Sequence, residues 1–222
     1  MDDKKARVER VYIFTGGNLN SVDLAEIIFN ESDRLIGLDK GAEWLILNNK
    51  IPHYILGDFD SARDDFLIKA KAQFGDRLVI FPPEKDETDT ELGLRYAISL
   101  EPQEIIIYGG TGTRLDHVLA NIHLLLQAAE KNIRCSIVDQ HNKIQLLLAK
   151  QKITIKKNKF DYVSLVPFSD KVTGINIDGF KYPIINGSME KGVPYGISNE
   201  LKDELGIISI ETGILLIMES RD

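Results

Sequence analysis

Two aspartates separated by a single residue stand where an apolar segment of the chain ends. Residues 54–61 read YILGDFDS, so Asp58 and Asp60 follow a short apolar run and Gly57. In an extended segment residues i and i+2 point to the same side, which would bring both carboxylates into one small volume. Such a pair of like charges is costly unless a cation holds it, and Mg²⁺ prefers hard oxygen ligands of this kind. The competing interpretation is an Asp-rich turn, because turns favour Asp and Gly.

A second acidic segment comes later, where a helix should begin. Residues 85–97 read KDETDTELGLRYA and contain Asp86 and Asp89, whose spacing would place both carboxylates on one face of a helical first turn. Ordinary helix capping is the alternative explanation, because acids and threonine are favoured at helix N-termini. This segment alone does not decide between a pair of site carboxylates and ordinary capping.

A glycine-rich segment follows another apolar run. Residues 109–117 read GGTGTRLDH, which suits the contact of a phosphate with backbone N–H groups at the start of a helix. The spacing fits neither a Walker A loop nor a dinucleotide-binding fingerprint. Arg114 could grip phosphate oxygens with two N–H groups, and Asp116 could orient a substrate group or Arg114 itself.

Apolar runs that alternate with helical patterns must position these residues. The runs at 11–14, 34–38, 53–56, 78–81, 105–108 and 133–138 predict strands of a mostly parallel sheet covered by helices on both faces, a three-layer α/β/α domain. Ligands of such sheets bind beyond the carboxyl ends of the strands. The candidates that follow predicted strand ends are Asp39, Asp58, Asp60, Asp86, Asp89, Arg114 and Asp116. One shared site explains this better than scattered structural acids.

Two of the intervening segments carry more detailed expectations. Ser21 is predicted to cap a helix with Leu24, Ile27 and Ile28 on its buried face. The helix from about residue 115 to residue 131 is predicted to turn Leu119, Ile122 and Leu126 inward.

The pattern changes near residue 140. Short segments at 153–155, 162–166, 174–178, 207–210 and 214–217 alternate apolar and polar residues, and turn signals such as Asn186-Gly187 separate them. This predicts a smaller antiparallel β-sandwich. We therefore expect an α/β domain over residues 1–141 and a β domain over residues 142–222.

Composition limits the function classes. A net charge of −7 argues against broad binding to nucleic acid or anionic membranes, and no apolar run approaches membrane-spanning length. The charged N-terminal segment MDDKKARVER lacks the apolar region of a signal peptide. The single cysteine, Cys135, fits a reducing cytoplasm and is expected to be a buried structural thiol.

Six motifs in order resemble those of thiamine pyrophosphokinases: TGGN, GLDKGA, LGDFDS, KDETDTELGL, GGTGTRLDHVLANI and GISNE. The resemblance implies transfer of the diphosphoryl group of ATP to the hydroxyl of thiamine, which gives thiamine diphosphate and AMP. It also implies an ATP- and Mg²⁺-binding α/β domain and a thiamine-binding, dimerising β-sandwich, in a homodimer with active sites at the subunit interface.

The resemblance also implies roles for individual residues. Magnesium and the phosphates would lie at Asp58, Asp60 and Asp86, and Ser198 and Asn199 would meet thiamine from the partner subunit. The nucleotide side would comprise Gly16, Gly17, Asn18, Asp39, Lys40, Thr88, Thr111, Arg114 and Asp116. The catalytic set would comprise Asp58, Asp60, Asp86, Asp89, Arg114 and Asp116, with either Asp89 or Asp116 accepting or orienting the hydroxyl proton. Lys40 and Thr113 depart from the small residues usual at their positions.

Two other functions compete. A haloacid-dehalogenase-type phosphatase would use Asp58 as its nucleophile, but here the pair follows the third strand, and Ala62 stands where that motif usually has Thr or Val. A non-catalytic nucleotide- or thiamine-binding module would bind the same ligands without forming AMP.

Overall fold

A computed structural model describes residues 8–20, 22–58, 70–82, 84, 86–193 and 195–222 of the chain. The chain divides into two compact units, Met1–Asp139 and Gln140–Asp222. Within the described residues, no helix is long and apolar enough to cross a membrane.

A parallel β-sheet forms the centre of the first unit. Its strands are β1 (Arg10–Phe14), β2 (Arg34–Leu38), β3 (Tyr54–Gly57), β4 (Leu78–Ile80), β5 (Glu104–Tyr108) and β6 (Arg134–Val138). They lie in the order β4-β3-β2-β1-β5-β6, and each neighbouring pair is parallel. The apolar side chains of the central strands are buried on both faces, as a covered parallel sheet requires.

Helices cover both faces of this sheet. They include α1 (Lys40–Leu47), α2 (Asp89–Ser99) and α3 (Leu115–Ala129), and residues 70–74 are also helical. On one face Trp44 of α1 stacks on Phe14, with ring centroids 5.7 Å apart. Leu38 comes one residue after the β2 partner of Phe14, so its side chain points to the opposite face of the sheet. On that face it packs closely against Gly93 of α2. The predicted three-layer α/β/α architecture is confirmed.

Antiparallel strands form the second unit. They are β7 (Asn142–Leu148), β8 (Lys152–Lys156), β9 (Tyr162–Pro167), β10 (Lys171–Asp178), β11 (Ile184–Glu190), β12 (Leu205–Ser209) and β13 (Ile214–Ser220). Strands β7, β13 and β9 pair in that order, and a second set pairs in the order β11-β10-β12-β8. Leu165 and Ile217 from the first set share one buried core with Ile175 and Ile208 from the second. This confirms the predicted β-sandwich.

The helix predicted around residues 21–28 is wrong. Its described residues, 22–28, contain only a single 3-10 turn, Leu24–Glu26, and the cap of this turn is Asp23, whose carboxylate accepts the N–H of Ala25. Ile27 is already extended, which leaves the Ile28 side chain 76% exposed and allows Phe29 to pack edge-on against Tyr12 with ring centroids 5.0 Å apart. The predicted cap, Ser21, lies outside the described residues.

Two other local predictions are wrong for reasons of packing. Leu119 of α3 is exposed, because the buried stripe of this helix runs through Asn121, Leu125 and Ala128 instead. Asn186-Gly187 lies inside β11 rather than in a turn, because a register shift in the pairing with β10 accommodates Asn186 at a φ of 49°.

Cys135 is buried in β6, as predicted. Burial raises the pKa of its thiol, so the reactive thiolate is suppressed. This fits a structural side chain.

Candidate functional site

The strand order of the first unit reverses direction at one place. The chain moves outward from β1 through β2 and β3 to β4, then crosses to the other side of β1 to form β5 and β6. Ligands of open α/β sheets bind beyond the carboxyl ends of the strands at such a reversal. The segments that leave β1 and β5 there are residues 15–20, the β1 loop, and residues 109–114, the β5 loop.

The β1 loop and the β5 loop are bound to each other. The N–H of Thr15 donates to the carbonyl of Tyr108 at 2.9 Å, and the N–H of Asn18 donates to the carbonyl of Thr111 at 3.1 Å. Gly17 packs so closely that a Cβ there would lie 2.1 Å from the carbonyl oxygen of Gly109. The structure therefore brings together Gly17, Asn18 and Thr111, three residues that sequence analysis assigned to the nucleotide side.

A buried side chain holds the β5 loop against α3. The amide Nδ2 of Asn121 donates to the carbonyl of Gly110 at 2.8 Å, and Asn121 is buried. The N-cap residue of α3 is Arg114, and its side chain makes no capping hydrogen bond. The first N–H groups of a helix attract anions, so this end of α3 suits a phosphate.

Arg114 and Asp116 form a two-point ion pair at the start of α3. The distances are 2.6 Å from Nη2 to Oδ2 and 3.3 Å from Nε to Oδ1, and both side chains are exposed. The hydrogen bond between them lowers the pKa of Asp116 and raises the pKa of Arg114. Both groups therefore stay charged, and because the pair is solvent-exposed it can exchange partners at little cost.

The carboxyl end of β2 contributes Asp39 and Lys40. Asp39 is the N-cap residue of α1 and adopts an uncommon backbone conformation for a non-glycine residue, φ 44° and ψ −114°. Its N–H donates to the carbonyl of Leu56 at 3.2 Å, and its Oδ1 atom is buried. Lys40 is exposed, and a Cβ at Gly16 would lie 3.8 Å from the Cβ of Lys40. Strained backbone of this kind is concentrated at functional sites.

The acidic candidates are distributed over the neighbouring strand ends. Asp58 is half-buried directly after β3, while Asp60 lies outside the described residues. Asp86 is exposed ahead of α2, and Asp89 is the first residue of that helix. Among the described side chains, which exclude Asp60, no three carboxylate, imidazole or thiol groups form a metal-binding cluster.

Thr88 acts as a helix cap. Its Oγ1 accepts the N–H of Glu91 at 3.2 Å, so the capping interpretation holds for this residue. Asp86 and Asp89 do not supply that bond.

Ser198 and Asn199 lie in the second unit. The side chain of Ser198 is exposed, and its N–H donates to Ser164 Oγ at 3.0 Å. Asn199 is buried, accepts the N–H groups of Tyr182 and Glu200 through Oδ1, and donates from Nδ2 to the carbonyl of Tyr182 at 2.8 Å. Asn199 therefore fixes the local backbone that presents Ser198.

Sequence analysis did not single out Thr15 and Asn121. Both lie in motifs that carry the family resemblance, Thr15 in TGGN and Asn121 in GGTGTRLDHVLANI, and Thr15 is also the polar residue that ends an apolar strand ahead of two glycines.

The candidate site thus belongs to an α/β unit in which a glycine-rich loop leads into a helix N-terminus, joined in one chain to an all-β unit. A family model described as "Thiamin pyrophosphokinase, catalytic domain" matches residues 25–137, and one described as "Thiamin pyrophosphokinase, vitamin B1 binding domain" matches residues 150–215. The chain belongs to the thiamine pyrophosphokinase family, whose members are transferases.

Individual relatives agree with this membership. Thiamine pyrophosphokinase of Bacillus subtilis (strain 168) is 34% identical over 215 residues, which cover 97% of this chain and 100% of that protein. A crystal structure of thiamine pyrophosphokinase from Bacillus subtilis matches with a TM-score of 0.88 at 34% identity, covering 96% of this chain and 100% of that one. The corresponding structure from Geobacillus thermodenitrificans gives a TM-score of 0.85 at 33% identity, covering 96% and 98%. These comparisons favour neither the phosphatase nor the non-catalytic module.

Proposed function

We propose that this chain transfers the diphosphoryl group of ATP to the hydroxyl of thiamine, giving thiamine diphosphate and AMP. The observation that carries the proposal is 34% identity to the thiamine pyrophosphokinase of Bacillus subtilis over 97% of the chain. The geometry at the strand-order reversal supports it, because the interlocked β1 and β5 loops and the N-terminus of α3, which the Arg114 side chain does not cap, suit a polyphosphate.

Asp58, Asp60 and Asp86 would hold Mg²⁺ with the phosphates. Their hard carboxylate oxygens are the ligands that Mg²⁺ takes together with substrate phosphates, so the donor set fits the ion. When bound, Mg²⁺ neutralises charge that develops on the transferring group.

Arg114 would bind the phosphates of ATP. Its guanidinium matches two phosphate oxygens at once, in the way that it now matches the two oxygens of Asp116. The other residues proposed for the nucleotide side are Gly16, Gly17, Asn18, Asp39, Lys40, Thr88, Thr111 and Asp116. For Gly17, Thr88 and Asn18 the supporting observation is that they shape the loops or cap the helix at this edge.

The thiamine hydroxyl would attack the β-phosphorus of ATP in line with the departing AMP. A carboxylate must accept or orient the hydroxyl proton, and two candidates fit that role. Asp116 is ionised in the protein without ATP, where the hydrogen bond from Arg114 lowers its pKa. Asp89 stands at the N-terminus of α2, where the helix dipole favours its negative charge.

Thiamine would bind at Ser198 and Asn199, supplied by the partner subunit of a homodimer. The match of residues 150–215 to a vitamin B1 binding domain supports this assignment. We accordingly assign ATP and Mg²⁺ to residues 1–141 and thiamine binding and dimerisation to residues 142–222. We place the enzyme in the cytoplasm, which fits its single buried cysteine.

The test is product analysis of the purified protein incubated with ATP, Mg²⁺ and thiamine. Equal amounts of AMP and thiamine diphosphate are expected. Asp60→Asn should abolish most of this turnover without unfolding the protein, whereas the matched surface control Asp170→Asn, whose side chain is fully exposed, should retain it. Release of inorganic phosphate from ATP with a phosphoaspartate trapped at Asp58 would refute the proposal in favour of the phosphatase.

A further inference from the structure

Two buried hydroxyl groups, one from the β1 loop and one from α2, lie within hydrogen-bond distance of each other. The Oγ1 atoms of Thr15 and Thr90 lie 3.0 Å apart, and the two residues are only 6% and 7% exposed. A buried hydroxyl that lacks a hydrogen bond is costly, so the two side chains stabilise each other in this position. The bond joins residues that are far apart in the sequence.

The backbone of Thr15 is fixed by the last residue of β5 and by the β5 loop. Its N–H donates to the carbonyl of Tyr108 at 2.9 Å, and a Cβ at Gly109 would lie 2.5 Å from the carbonyl oxygen of Thr15. The main chain of Thr15 therefore contacts β5 and the β5 loop, while its side chain contacts Thr90 of α2.

Thr90 lies in the first turn of α2. It comes directly after Asp89 and two residues after the cap, Thr88. The bond at Thr90 therefore ties the first turn of α2, which begins with Asp89, to Thr15 of the β1 loop.

We infer that Thr15 and Thr90 are positioning residues, which hold the first turn of α2 and Asp89 in register with the loops that bind phosphate. This inference rests on the proposed diphosphoryl transfer, and it assigns to the pair an effect on turnover rather than on substrate binding. Correct placement of a reacting group lowers the barrier of the chemical step, while substrate affinity depends on contacts that the pair does not make.

The test compares Thr15→Val, Thr90→Val and the double valine variant in steady-state kinetics and thermal unfolding. Each single change leaves one buried hydroxyl without its partner and lowers stability, whereas replacing both hydroxyls restores it. We expect kcat to fall about tenfold in all three variants, with KM for thiamine and ATP changed less than about twofold. Thr15→Ser, which keeps the hydroxyl, should restore kcat.

A purely structural pair would behave differently. Activity would then follow stability, and the double variant would recover kcat together with its melting temperature; that result would overturn the inference. Thr173→Val serves as the control, because Thr173 and Thr212 form a similar hydroxyl pair at 2.7 Å in the second unit, exposed to solvent. Wild-type protein that forms no thiamine diphosphate would overturn the proposed function and this inference together, whereas an active wild type with unaffected valine variants overturns this inference alone.

Discussion

Replacing Gly17 with alanine should separate the β1 loop from the β5 loop. The added Cβ would lie 2.1 Å from the carbonyl oxygen of Gly109 and 2.5 Å from that of Thr111. Both obstacles are backbone atoms, so no side chain can rotate away to make room. The loops must move apart by about 1.3 Å before the contact becomes an ordinary van der Waals distance of about 3.4 Å.

The expected effect on activity is much larger than the effect on stability. Overpacking of this size costs about 1–3 kcal/mol, which for a chain of this length lowers the melting temperature by about 3–10 °C. A displacement of about 1 Å in a group that positions the reaction can lower turnover about 100-fold. Gly17→Ala should therefore fold and yet be nearly inactive.

Circular dichroism melting and the AMP assay together measure both effects. Gly112→Ala is the control for stability, because a Cβ at Gly112 meets no described atom within 4 Å beyond its two chain neighbours, and its melting temperature should equal that of the wild type. A Gly17→Ala variant with wild-type melting temperature and wild-type turnover would show that the close approach of the two loops is unnecessary, and would refute the reasoning.

Three further predictions concern single side chains. Arg114→Lys should lower turnover about tenfold with an unchanged melting temperature, because lysine cannot reproduce the two-point contact of an exposed guanidinium; equal turnover would contradict its phosphate role. Asp33→Asn should lower the free energy of unfolding by about 3 kcal/mol in urea titrations, since Asp33 is fully buried and pairs with Arg10 at 2.9 Å; a loss below about 1 kcal/mol would contradict this. Burial lowers the pKa of His53, whose Nδ1 accepts the N–H of Leu35 at 3.0 Å. As the pH falls, His53 therefore takes up a proton at a higher pH in the unfolded chain than in the folded chain. The contribution of His53 is therefore present above pH 6.5 and is lost as the pH falls below that value; the melting temperature should decline less steeply on acidification in His53→Asn, and identical slopes would count against it.

The sequence was most informative where a local pattern determines the structure. Apolar runs that end at Asp39 and Asp58 predict buried parallel strands, because only a strand covered on both faces needs uninterrupted apolar residues. Apolar and polar residues that alternate after residue 144 predict the sandwich, because successive side chains of a strand point to opposite faces of its sheet. The placement of these acids at one edge of the sheet follows from the parallel direction of the strands.

Features set by distant contacts could not be predicted. The strand order that places the β1 and β5 loops side by side depends on the crossover from β4 to β5, which leaves no local signal in the sequence. The bond between Thr15 and Thr90 joins two separate elements. Asn186-Gly187 is a strong turn signal, yet pairing with β10 incorporates it into a bulged strand.

The position of the label from radioactive ATP tests the central claim most directly. Separate reactions would contain ATP labelled at the α-phosphorus or at the γ-phosphorus, with Mg²⁺ and thiamine, followed by chromatography of nucleotides and thiamine esters. Attack on the β-phosphorus predicts that the γ-label appears in thiamine diphosphate and the α-label in AMP. A γ-label in thiamine monophosphate with the α-label in ADP would show attack on the γ-phosphorus and contradict the account.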